Sequence, residues 1–273
     1  GEARGFYQRV NLNPGPEGDR YCSRLESHRW TGDMAWLLIA YKYYEKLHGR
    51  DRYAEVTTLL RDLLLEWYRE AEDGGYVGHG WRQNDAYLHE PLGHPEANID
   101  CYAAFRLCGE TARAEKIRTW LDSTVRGQSL PLDVYAWRAM AYGDSAATLL
   151  DIPERDLRYR KTLTAGDREV MGFYHGADIE VENIWLDGTG HMACAYLTLG
   201  DPLRGQFYAN QLDAFLIDRE IGGVATRALP YTANTTGAYE WVRTDRGFVS
   251  VAAWYLFAKS RFNPLRLERK PAP

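Results

Sequence analysis

Short joints that begin with glycine separate pairs of segments with helical periodicity, and this pattern constrains the fold more than any other feature of the sequence. The joints begin at Gly49, Gly109 and Gly200, and each is followed within three residues by a new helical segment. Glycine favours the left-handed conformation in which many helices end. A connection this short joins only antiparallel neighbours. The sequence therefore predicts stacked antiparallel helical hairpins.

Apolar residues recur with a period of about 3.6 residues through the first pair of segments, at about 31–47 and 51–71. The same periodicity predicts further helices at about 97–107, 112–125, 132–150, 154–163, 189–199, 203–217 and 247–259. No convincing run of alternating polar and apolar residues indicates a strand. We therefore expect an all-α fold.

We expect one domain over residues 31–265, with an irregular segment before it at 1–30 and a short tail after it at 266–273. Long stretches rich in Gly, His, Pro and aromatic residues separate the predicted pairs, and they cover residues 73–96, 166–188 and 220–246. Long loops in a compact domain are usually functional or mobile. These three are expected to build one elaborated face.

Charge and cysteine content limit the partners and cofactors that we expect. The net charge of −5 provides no basic surface for nucleic acid, and no apolar run approaches the roughly 18 residues that span a bilayer. The sequence has neither a C-x-x-C pair nor an H-E-x-x-H motif. We expect free cysteines, no cofactor and no catalytic metal, with a loop-bound calcium ion left open. Oligomeric state and compartment, cytoplasmic or exported, also stay open.

Aromatic residues make up 13% of the chain. Tyr and Trp combine an apolar ring face with a polar edge and therefore suit amphipathic ligands such as sugars. Helical cores use the same residue types, so aromatic content alone does not predict a sugar site.

Several segments, in this order along the chain, resemble the six-hairpin or (α/α)-toroid glycosidase superfamily. They are residues 31–36, 49–53, 96–105, 185–193, 222–224, 253–258 and 262–265. The resemblance implies an all-α barrel or toroid of antiparallel hairpins that processes carbohydrate with paired carboxylates in a central aromatic-lined cleft. About nine helices are predicted where six hairpins need twelve, so an incomplete ring is the alternative. Related sequences usually have Glu where this chain has Asp187.

Asp33, Asp100 and Asp187 share a setting, because each lies near the first turn of a predicted first-of-pair helix. Glycoside cleavage needs a proton donor and a second carboxylate that acts as base or nucleophile. Asp100 is the predicted acid, since Glu96 and Asn98 precede it, and Asp187 or Asp33 is its predicted partner. The alternative is structural: an acidic residue at a helix N-terminus caps backbone N–H groups and complements the helix dipole.

Residues 78–87 are predicted to form a wall of the cleft. Trp81 and Tyr87 would stack on sugar rings, and Arg82 would hold the carboxylate of an acidic sugar. An ordinary exposed loop is the alternative for this segment. The other candidate binding residues are polar or aromatic and lie in or near the motifs: Glu96, Asn98, Trp185, His191, Tyr239 and Trp241.

Together these features favour an enzyme, a glycoside hydrolase that cleaves an oligo- or polysaccharide. A polysaccharide lyase with a Tyr or His base is the neighbouring alternative. A non-catalytic carbohydrate-binding or scaffold domain is the third, and the short side chain of Asp187 and the low helix count favour it.

Overall fold

A computed structural model describes residues 5–6, 28–49, 52–81, 89–176, 181–237 and 242–271. The chain divides into two compact units, Gly1–Arg126 and Gly127–Pro273. About 53% of the residues so described are helical and about 19% lie in strands. No helix in these ranges is both long enough and apolar enough to cross a membrane.

Helices α1 to α4 belong to the first unit and span Thr31–His48, Ala54–Glu66, Pro95–Leu107 and Thr111–Thr124. Helix α1 packs against α2 and α3, and α3 packs against α4. Gly49 ends α1 with a φ of 56°, and its N–H donates to the carbonyl oxygen of Glu45. The first predicted joint is therefore a left-handed helix terminus, as glycine permits.

A small antiparallel sheet accompanies these helices. Its strands are β1 (Arg29–Trp30), β2 (Tyr68–Ala71), β3 (Gly74–Trp81) and β4 (His89–Gly93), and β3 pairs with each of the other three. Gly80 has a φ of 129°, and a Cβ atom there would lie 2.2 Å from the carbonyl oxygen of Arg29. Only glycine allows β1 to approach β3 this closely.

Helices α5 to α9 belong to the second unit and span Leu132–Tyr142, Asp151–Arg155, Leu186–Thr198, Pro202–Leu212 and Val249–Lys259. Short 3₁₀ helices cover Asp144–Leu150 and Asp213–Phe215. Helix α7 packs against α5, α8 and α9, and all of its residues are buried. A helix that is buried on every side belongs in a core, so α7 is the centre of this unit.

Three antiparallel hairpins complete the second unit. Strands β5 and β6 are Arg160–Ala165 and Arg168–Phe173, and β7 and β8 are Ile217–Ile221 and Val224–Ala228. Strands β9 and β10, at Phe262–Asn263 and Glu268–Arg269, form a third, very short pair.

The predicted all-α toroid of stacked helical hairpins, complete or incomplete, is wrong, because the protein is a mixed α/β structure with several antiparallel sheets. The predicted helix at 154–163 is replaced by a short helix and by β5. Gly222 and Gly223 have φ values of 58° and 79°, which a two-residue type I′ hairpin turn requires. A segment that we assigned to the toroid resemblance therefore forms a hairpin turn.

Candidate functional site

Each unit brings two acidic residues together from the first turns of neighbouring helices. In the first unit these are Asp33 of α1 and Glu96 of α3, and in the second they are Asp133 of α5 and Asp187 of α7. In both units one charge raises the pKa of its neighbour, Asp33 that of Glu96 and Asp133 that of Asp187. A helix N-terminus by itself lowers a carboxyl pKa. The pKa values of Glu96 and Asp187 are raised instead, so burial and the neighbouring negative charge outweigh the helix dipole.

The first pair combines perturbed acidity with access to solvent. Burial raises the pKa of Asp33 to about 6. Burial, followed by the charge of Asp33, raises the pKa of Glu96 to about 6 as well. Asp33 nevertheless keeps an exposed edge, and Glu96 is partly exposed. Two crowded carboxyl groups with similar pKa values lose their protons in two steps that belong to the pair. Near pH 6 the pair therefore holds about one proton.

Three aromatic rings in contact lie near this acid pair. The rings of Trp30 and His79 stack, with centroids 4.3 Å apart at 26°, and the ring of His94 is tilted by 39° against that of His79 at 4.8 Å. Trp30 directly precedes α1 and His94 directly precedes α3. The three rings therefore adjoin the two helix starts that carry the acids.

Asp100, the predicted acid, lies one helical turn beyond Glu96. It is 2% exposed, and a Cβ atom on Gly32 would lie 3.1 Å from its Oδ2. Asp100 is therefore packed against the start of α1, deeper than the acid pair. Its catalytic role stays a prediction, and accessibility favours Asp33 and Glu96 over it.

Two of the predicted binding residues make structural contacts. Asn98 is fully buried, and its side chain accepts a hydrogen bond from the N–H of Val77 (2.7 Å) and donates to the carbonyl oxygens of Val77 (2.9 Å) and His94 (3.0 Å). Trp81 is 8% exposed, and its ring centroid is 3.8 Å from that of Trp67. Their binding roles stay predictions. Four further candidates lie outside the described residues: Arg82, Tyr87, Tyr239 and Trp241.

The second acid pair is less accessible. Asp187 is 5% exposed, and burial, followed by the charge of Asp133, raises its pKa to about 7. The hydroxyl groups of Tyr231 and Ser250 oppose this rise because they stabilise the charged carboxylate. Ser250 is exposed and Tyr231 is half-buried. The Asp187 carboxyl group therefore lies directly behind the surface of this unit.

His191 lies one turn after Asp187 and is almost completely buried, at 1% exposure. Burial, and then the nearby His175, lowers the pKa of His191 to about 3, so the imidazole is neutral near physiological pH. Its Nε2 is 3.7 Å from Oδ2 of Asp187. This distance is too long for a hydrogen bond, and a neutral imidazole forms no ion pair. The contact is a close approach of two polar groups.

Tryptophan rings surround His191 in the core of the second unit. The centroids of Trp137, Trp185 and Trp254 lie 5.2, 5.3 and 4.5 Å from that of the imidazole. Trp185, a predicted binding residue, is 4% exposed, and its backbone N–H donates to the carbonyl oxygen of Phe173 at 2.8 Å. These contacts fix the ring and the start of α7 that carries Asp187.

Sequence reasoning overlooked Asp133. A usable signal was present, because Leu132-Asp133 opens α5 just as Leu186-Asp187 opens α7. Ser250 was overlooked as well, and its place one residue inside α9 gives no comparable signal.

Within the described ranges, no group of three or more His, Cys, Asp or Glu side chains is arranged to hold a metal ion. The cysteines described there, Cys101, Cys108 and Cys194, are free. No protein-family model and no curated protein matches this chain.

Proposed function

We propose that the protein is a carbohydrate-active enzyme, a glycoside hydrolase, in which Asp33 and Glu96 form the acid–base pair. One observation supports this above all others: two acidic residues that keep some solvent exposure begin neighbouring helices, the charge of Asp33 acts on Glu96, and the pKa of each is raised to about 6. Near that pH one carboxyl group is protonated while the other is charged. Glycoside cleavage needs this combination of states.

The two residues have different surroundings, and these suggest their roles. Glu96 is the less exposed residue and has the charge of Asp33 beside it, so it is the proton donor to the leaving glycosidic oxygen. Asp33 is the more exposed carboxylate. It either removes a proton from the attacking water or attacks the anomeric carbon itself, and water then releases the sugar. The adjacent rings of Trp30, His79 and His94 offer a face for a sugar ring.

The test is the release of reducing ends from a panel of cellulose, xylan, mannan, chitin and pectin oligosaccharides. We expect Glu96→Gln and Asp33→Asn each to lower turnover by roughly 100-fold or more, the range that acid–base groups contribute. Glu55→Gln is the matched control, because Glu55 is an exposed acid in the first turn of α2, and it should leave turnover unchanged.

The same panel separates the alternatives. Unchanged turnover in both acid-pair variants would show that the pair is not catalytic. Binding of an oligosaccharide without turnover by the unmodified protein would identify a carbohydrate-binding domain. Products with an unsaturated sugar at the new non-reducing end would identify a lyase.

A further inference from the structure

We propose that the second unit carries a binding site for a sugar residue, in which the Asp187 carboxyl group donates a hydrogen bond and the rings of Tyr231 and Phe248 form the apolar wall. The ligand class rests on the proposed function. The site itself consists only of residues of the second unit and has its own test.

A buried oxygen of Asp187 indicates a ligand that forms hydrogen bonds. Oδ1 of Asp187 has no hydrogen-bond partner among the described residues, although Asp187 is only 5% exposed. Buried polar atoms nearly always have partners, often water or a ligand. A protonated carboxyl group presents both a donor and an acceptor. A sugar hydroxyl group can bond to either one, whereas a metal ion cannot accept the donated hydrogen bond.

The residues around Asp187 provide a surface on which a sugar can lie. Ser250 is exposed, and Tyr231 and Phe248 are half-buried, with their ring centroids 4.9 Å apart. Tyr231 also lies 6.2 Å from the ring of Trp185, centroid to centroid. Aromatic faces pack against the C–H face of a sugar while hydroxyl groups bond to polar neighbours. The ligand meets Asp187 and Ser250, and His191 lies behind Asp187.

Asp187 can donate a hydrogen bond only while its carboxyl group is protonated. The groups that face Asp187 are Asp133 of α5, His191 of α7, Ser250 of α9, and Tyr231, which precedes α9. His175 in turn lies near His191. Burial and Asp133 hold the pKa of Asp187 at about 7, so the group is a donor below that pH. Above pH 7 it loses its proton, and the hydrogen bond it donated is lost. Binding should therefore weaken as the pH rises.

The experiment measures the calorimetric Kd for cellohexaose, xylohexaose, mannohexaose and chitohexaose from pH 5 to 8.5, in a Glu96→Gln background. For the probe that binds, Kd should rise about ten-fold between pH 6 and pH 8, as expected when one proton with a pKa near 7 is required. Asp187→Asn keeps a donor and an acceptor without a titration, so its Kd should be independent of pH. Asp218→Asn, at an exposed acid of β7, is the control and should keep the pH dependence.

Ser250→Ala provides a second test at an exposed position, where folding is little affected. Because the Ser250 hydroxyl stabilises the charged form of Asp187, its loss should move the midpoint of the pH dependence upwards. The inference is overturned if no hexasaccharide binds, or if Asp187→Asn retains the pH dependence of its parent. Full turnover in Glu96→Gln together with pH-dependent binding would instead reject only the proposed acid pair.

Discussion

At the scale of single residues, depth along a helix decides which acid is available for chemistry. Glu96 and Asp100 lie one turn apart on the same side of α3, yet Glu96 is partly exposed and Asp100 is 2% exposed. Four residues advance a helix by about 6 Å, which here separates the open end of the helix from its packed interior. Helical periodicity identifies the shared face, but it does not say how deep the neighbouring elements reach. The sequence therefore predicted the start of α3 as the site and favoured Asp100, the deeper of the two acids, and that site stays a prediction.

Asp187 should make the stability of the protein depend on pH. Its pKa of about 7 in the folded state exceeds the unfolded value of about 4, so its contribution is complete below pH 4 and is lost as the pH rises through 7. Urea unfolding at pH 5 and pH 8 should show a smaller loss of stability in Asp187→Asn than in the unmodified protein, by about 2 kcal/mol. The free energy of unfolding of Asp187→Asn should still fall as the pH rises, because the raised pKa values of Asp33 and Glu96 act in the same direction. Equal losses in the two proteins would contradict this assignment.

At the scale of elements, the buried side-chain amide of Asn98 connects α3 to β3 through hydrogen bonds. Replacing Asn98 by Ala removes three hydrogen bonds and leaves the N–H and C=O groups of Val77 without these bonds. We expect a loss of about 3 kcal/mol in the free energy of unfolding, measured in urea, since a buried polar group left unsatisfied costs about 1–3 kcal/mol. Asn210→Ala, at an exposed position of α8, should cost less than about 1 kcal/mol. Similar losses of unfolding free energy in the two variants would show that the hydrogen bonds of Asn98 do not stabilise the contact between α3 and β3.

The helices were more predictable than the strands for a physical reason. Helices α1, α4 and α9 begin and end within two residues of their predicted bounds, because each buries one face and so carries a periodic pattern. No residue of strands β7 and β8 is buried. A strand without a buried face shows no alternation. The turn residues Gly222 and Gly223 were the available signal, since consecutive glycines between two short runs indicate a hairpin.

At the scale of the whole molecule, the motifs at residues 31–36, 96–105 and 185–193 lie at helix starts, but the strands between the helices were not predicted. The three stretches that we expected to be elaborated loops, 73–96, 166–188 and 220–246, contain strands β3, β4, β6 and β8. The candidate acids Asp33, Glu96 and Asp187 all lie in motif segments at helix starts. Local patterns therefore placed Asp33 and Asp187 near helix starts, where the structure has them. They did not predict the sheets, which depend on packing between distant segments.

Side-chain carboxyl ¹³C NMR titration can show whether Asp33 and Glu96 form one coupled acid pair. Signals can be assigned from the Asp33→Asn and Glu96→Gln variants. We expect both carboxyl groups to titrate near pH 6, and we expect Asp33→Asn to lower the pKa of Glu96, because the charge of Asp33 contributes to raising it. Ordinary titration of both groups near pH 4, or a Glu96 midpoint that does not change in Asp33→Asn, would contradict a coupled pair.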